Sequence, residues 1–147
     1  MMAGKRESEV DDRFRRFGTV GFTGITRVND FITHLEEGRV AGTRCAACGK
    51  VFFPPRADCM ACFASRMSWF PVEGPGRLIS WSRLAFGPAG FQEEVPYTIA
   101  LLDYGEFKVF GRIDRSLPEE ELAVGLAMTV RAERLAGDRL SYVFVKA

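Results

Sequence analysis

All four cysteines of this chain fall into two Cys-x-x-Cys pairs, Cys45-Ala46-Ala47-Cys48 and Cys59-Met60-Ala61-Cys62, separated by ten residues. Each pair can present two sulfurs to one ion from a tight turn, and the intervening loop is long enough to fold the second pair opposite the first. Four thiolates close a tetrahedral shell and leave no position open for a substrate. Two disulfides are the alternative use of such pairs, one that a reducing compartment disfavours. Zinc is the preferred ion for a ribbon this small. The same sulfurs would hold iron, and iron would make electron transfer a live function. Gly49 tolerates positive φ and suits a knuckle whose backbone N–H groups point at sulfur, whereas Phe63 follows the second pair and makes that knuckle less typical. Zinc binding worth about 10 to 16 kcal/mol exceeds what about 30 residues gain from their own core, so the ribbon is expected to unfold without metal.

At 147 residues the chain has room for one ordinary domain or two small ones. Lys and Arg number 20 against 19 Asp and Glu, a net charge of +1 that gives little attraction toward nucleic acid or acidic membranes. Apolar residues at 47% are enough for a globular core. No apolar run approaches the roughly 20 residues that cross a bilayer, and the charged N-terminus lacks the apolar core of a secretory signal. A cytoplasmic protein is expected.

The order of segments predicts a mainly β chain. Residues 1–27 form an extension, of which 1–16 are polar and aperiodic and predict a mobile tail, or a segment ordered only by a partner. Residues 28–42 hold a helix and linker: Asp30 can cap a helix running to about Glu37, with Phe31, Ile32 and Leu35 on one face and Gly38 as the stop. His34, the lone histidine, lies on that helix and is assigned no role. The ribbon occupies 43–73, and 74–147 change to short runs rich in β-branched and aromatic residues. Strands are predicted at 77–86, 97–103, 106–113, 128–135 and 140–146, with a short helix at 117–122 between the third and fourth. Five strands with that connection suit an OB-fold barrel, with a sandwich as the alternative.

The chemistry that is missing matters as much. If the thiols hold a metal, no nucleophile stands beside a base, and no phosphate-cradling glycine motif is present. Catalytic residues are therefore expected to be none, which leaves binding. The stretch 86–96 joins the first two barrel strands, and its Phe86 and Phe91 among glycines and prolines form an apolar insert for a partner or ligand.

Arg44-Cys45-Ala46-Ala47-Cys48-Gly49, Phe53-Pro54-Pro55-Arg56, Cys59-Met60-Ala61-Cys62, Trp69, Gly74-Pro75-Gly76, Pro96-Tyr97-Thr98-Ile99-Ala100 and Asp103-Tyr104-Gly105 together resemble the DUF35 family. The resemblance spans about Asp30 to Val145. One departure is Cys-Met-Ala-Cys, which replaces a second pair that more usually contains proline. The family implies a rubredoxin-like zinc ribbon ahead of the OB-fold, with Cys45, Cys48, Cys59 and Cys62 as ligands. It also implies a non-catalytic partner of acyl-CoA enzymes, above all thiolase-superfamily subunits and in some members MaoC-like hydratases. The glycine-spaced N-terminal run is similar to members paired with thiolases in anaerobic aromatic degradation. On that reading Arg77, Arg83 and Phe86 are candidate CoA contacts, because phosphates favour arginine and adenine favours stacking. Phe17, Phe22 and Phe91 are candidate partner contacts. A single-stranded nucleic-acid-binding OB module is the competing class, weakened by the near-neutral charge.

Overall fold

The computed structural model describes residues 10–21 and 25–147. Phe31, Ile32 and Leu35 recur within little more than one turn, so helix α1 (Asp30–Glu36) turns one apolar face inward, and Gly38 at φ +82° ends it. The N-cap is Asn29 and not Asp30, and it caps without a side-chain bond to the helix: its Nδ2 donates to the Thr26 carbonyl at 2.5 Å. Asp30 lies inside the first turn, where its carboxylate accepts from Arg13 at 2.9 Å.

A small antiparallel sheet follows, made of β1 (Ala41–Cys45), β2 (Val51–Phe52) and β3 (Met67–Pro71) in the order β2-β1-β3. The central strand has to pass between two aromatic neighbours, and Gly42 makes that possible. A Cβ there would stand 2.5 Å from the Phe52 carbonyl oxygen and 2.8 Å from the Phe70 ring.

Alternation in the C-terminal half produces β4 (Gly76–Leu84), β5 (Tyr97–Asp103), β6 (Lys108–Ile113), β7 (Ala127–Leu135) and β8 (Arg139–Lys146). They close as β4-β5-β6-β8-β7, with β6 and β8 parallel and a 3-10 turn at Glu119–Glu121 before β7. This is the five-stranded OB barrel, and closure removes the sandwich alternative. Leu78, Leu102, Val109, Met128, Leu140 and Phe144 fill it. The inward face of α1, together with Val40 and Val72, belongs to the same core. Each large side chain of that face contributes about 1.5–3 kcal/mol by leaving water.

Residues 10–16 depart from the mobile tail expected over 1–16; residues 1–9 lie outside the described residues. Residues 13–16 form a 3-10 turn, Phe14 and Phe17 pack against the core, and the Gly18 amide donates to the Leu140 carbonyl at 2.7 Å. Arg13 holds Asp11, Asp30 and Thr33 together, and Arg16 bonds Asp138. The segment is polar along the chain yet finds its partners on α1 and β8. No helix among the described residues is long and apolar enough to cross a membrane.

Candidate metal centre and interaction surface

The two Cys-x-x-Cys pairs fold into matching knuckles. The Cys45 amide donates to the Lys50 carbonyl and the Cys59 amide to the Ala64 carbonyl, both at 2.8 Å. Within each turn, the Cys48 amide points at Cys45 Sγ at 3.5 Å and the Ala61 amide at Cys59 Sγ at 3.4 Å. The second knuckle forms without glycine, because Phe63 itself adopts φ +64°.

These turns bring all four sulfurs within 4.8 Å of one another, with Cys45–Cys62 and Cys48–Cys59 at 3.6 Å. A tetrahedral ion with metal–sulfur bonds of about 2.3 Å sets its ligands about 3.8 Å apart, so the cluster has the dimensions such an ion requires. Its electrostatics point the same way. The Cys48 backbone N–H draws the Cys45 thiol down to about 6, and the Cys62 backbone N–H lowers Cys59. Cys62 moves oppositely: the Ala64 N–H favours its thiolate, but hydrogen bonding with the neighbouring sulfurs and burial outweigh this and push it up to about 11. Four thiolates this close ionise together only around a cation. Each knuckle supplies one buried sulfur, Cys45 or Cys59, and one exposed, Cys48 or Cys62. Arg44 and Lys50 flank the ligands but lie over the Phe70 and Phe52 rings, and Arg44 also donates to the Gly49 carbonyl.

The other sequence-selected residues scatter. Arg77 opens β4, where it donates to the Gly125 carbonyl at 3.2 Å, while Arg83 lies six residues on, about 20 Å along the strand, beside the loop that carries Phe86. Arg83 and Phe86 thus share one end of the barrel and Arg77 stands at the other. Phe86 is 88% exposed, whereas Phe91 folds back against Tyr97 and receives the Arg112 guanidinium 5.2 Å from its ring centroid. Phe17 packs within the chain, 5.6 Å from Phe14 and from Phe31 and 6.1 Å from Tyr142. Phe22 lies outside the described residues. His34 packs on Trp69, 5.0 Å between centroids, and its Nδ1 meets Arg39 at 3.3 Å.

Sequence reasoning missed the outer face of β5 and β6. Ile99, Leu101 and Phe110 project there, with Phe110 58% exposed, and Arg112 closes one side. Strand alternation makes these positions readable as outward, but only the barrel's closure sets them beside one another.

Comparison with known proteins fits this geometry. Residues 33–68 match the family described as ChsH2, rubredoxin-like zinc ribbon domain, and residues 69–133 match ChsH2, C-terminal OB-fold domain. The benzoylsuccinyl-CoA thiolase subunit BbsA of Thauera aromatica is 32% identical over 127 residues, covering 80% of this chain and 85% of BbsA. A DUF35 domain-containing scaffold protein of Methanocaldococcus jannaschii is 28% identical over 108 residues, 71% of this chain and 76% of that one. The chain belongs to the DUF35 family. A solved DUF35 structure, the Ltp2-ChsH2(DUF35) aldolase, has the same fold: TM-score 0.69 at 21% identity, covering 83% of this chain and 96% of that one.

Proposed function

We propose that this DUF35 chain is a non-catalytic, zinc-binding subunit that docks on a thiolase-superfamily partner and supports acyl-CoA binding and thiolytic cleavage of a 3-oxoacyl-CoA. The observation that carries the reading is the gathering of every thiol into one four-sulfur cluster. Cys45, Cys48, Cys59 and Cys62 would hold zinc. A four-thiolate zinc cross-links the fold and leaves no site for substrate. Among the described residues the lone histidine packs on Trp69 and no cysteine stands beside it, so the cysteine that attacks the acyl group belongs to the partner.

The similarity to BbsA, a benzoylsuccinyl-CoA thiolase subunit, supports a place in a thiolase complex and an aromatic acyl-CoA as the partner's substrate class. The face on which OB-folds bind oligonucleotides favours this over nucleic acid, since Ile99, Leu101 and Phe110 occupy it and Arg112 is paired with Glu94. Arg83 and Phe86, exposed at one barrel end, are the residues we assign to contact with CoA or the partner.

Affinity purification of the tagged chain from its own cells, with mass spectrometry of what accompanies it, tests the reading. A thiolase-superfamily subunit is the expected companion, and the purified chain alone should turn over no acyl-CoA with free CoA. Turnover by the chain alone, or its recovery without such a partner, overturns the proposal.

A further inference from the structure

A cleft of about 480 Å³ opens on the outer side of the barrel, between β5, β6 and β8 and the segment 17–20. Phe91, Tyr97, Ile99, Phe110, Leu135 and Tyr142 give it largely apolar walls. An engineered apolar cavity of about 150 Å³ accepts benzene, so this space is enough for a single ring with a short side chain.

Its roof is built from several fixed contacts. Thr19 donates its hydroxyl to Glu94 Oε1 at 2.6 Å, and Glu94 in turn pairs with Arg112. Gly90 lets Val20 approach so closely that a Cβ would stand 2.6 Å from Val20 Cγ2. Arg139 fixes the same segment through the Gly18 and Phe17 carbonyls.

The polar groups on the walls select the ligand. Arg112 is already neutralised by Glu94, and its guanidinium lies 4.1 Å from the Tyr97 ring centroid, so it offers no free cation to an anion. Glu133 lines the same cleft and, among the described residues, makes neither a hydrogen bond nor an ion pair. A half-buried carboxylate of this kind gains from a donor and is penalised by a second anion. Desolvation pushes its pKa upward, as expected for an acceptor without a donor.

We infer that this cleft binds an uncharged aromatic molecule carrying one hydrogen-bond donor, with the ring between the apolar walls and the donor on Glu133. The inference stands on the cleft alone and does not depend on the partner.

Titration of the zinc-loaded full chain with 4-propylphenol and, separately, 4-propylbenzoate, followed by backbone amide NMR shifts, tests it. The phenol should give saturable shifts at Ile99, Phe110 and Gly111, and at neutral pH the benzoate should bind at least about tenfold more weakly because its charge meets Glu133 unpaired. Glu133→Gln should bring the two ligands to within about threefold of each other by removing that repulsion. Ile99→Trp should weaken the phenol's binding at least about tenfold by placing an indole where the ring would lie. If Ile99→Trp does not fold, Glu133→Gln decides. Absence of saturable shifts with the phenol, equal affinity for both ligands, or an unchanged preference in Glu133→Gln overturns the inference.

Discussion

Gly49 and Phe63 occupy the same place in the two cysteine knuckles, at φ +78° and +64°, and each donates its amide at 2.9 Å to the carbonyl of the cysteine four residues earlier. A residue with a Cβ pays about 1–2 kcal/mol for this conformation, and Phe63, 85% exposed, gains little packing in return. Phe63→Gly should therefore strengthen the ribbon by about 1 kcal/mol, or about fivefold in zinc affinity. Competition with a chromophoric chelator measures it, and weaker zinc binding in the variant would contradict the account.

Metal removal should act locally. The sulfur end has its own small apolar cluster of Cys45, Phe52 and Cys59 with Ala64 and Met67, whereas Val40, Val72, Phe53, Trp69 and Phe70 join the barrel's core. Chelation should release amide protons from 45–66 to fast exchange and leave β5, β7 and β8 protected. Loss of protection throughout the barrel would refute this. Replacing one ligand, as in Cys59→Ser, should weaken zinc by more than about 100-fold, since even second-shell partners are worth 10–100-fold.

Acid should loosen the Thr19–Glu94–Arg112 latch. Burial works against the Glu94 carboxylate, but the hydrogen bonds from Thr19 and Arg112 outweigh it and hold its pKa below the ordinary 4.5. A carboxyl depressed on folding contributes stability that is complete above its unfolded value and is lost as pH falls through the folded one. The factor by which structure slows exchange at the Gly18 amide, measured against an unstructured amide at the same pH, should therefore fall only below about pH 4.5 in the native chain. In Glu94→Gln that slowing should be small already at neutral pH and constant across this range. A midpoint above the ordinary value would reverse the sign of the argument.

Gly42→Ala should lower stability by about 1–3 kcal/mol, because the added methyl meets the Phe52 carbonyl as well as the Phe70 ring and backbone cannot rotate away. Denaturant unfolding checks this, and a loss below about 0.5 kcal/mol would mean the sheet opens more readily than its contacts indicate.

The cysteine site was legible because a knuckle is a local object, with both ligands and the backbone donors falling within a few residues. The last two strands were legible for a similar reason: alternation such as Met128, Val130 and Ala132 against Thr129, Arg131 and Glu133 already states which side faces in. The third barrel strand starts at Lys108 and not Glu106, because the Asp103 carboxylate accepts from the Gly105 amide and holds the turn open longer. Residues 11–16 read as a tail because contacts such as Arg16 with Asp138, more than a hundred positions away, are invisible along the chain. The cleft was hidden for the same reason. Thr19, Glu94, Arg112 and Glu133 sit on separate elements and share nothing in sequence.

Helix α1 lends one apolar face to sulfur ribbon and barrel alike, and just beyond β1 and β3 the Val72 amide donates to the Val40 carbonyl at 2.8 Å, which carries the ribbon's own ladder to two valines of the shared core. The two halves therefore share one apolar seam. A partner that grips the knuckle tips would in turn pull on α1 and, through it, on the strands β7 and β8 that α1 packs against.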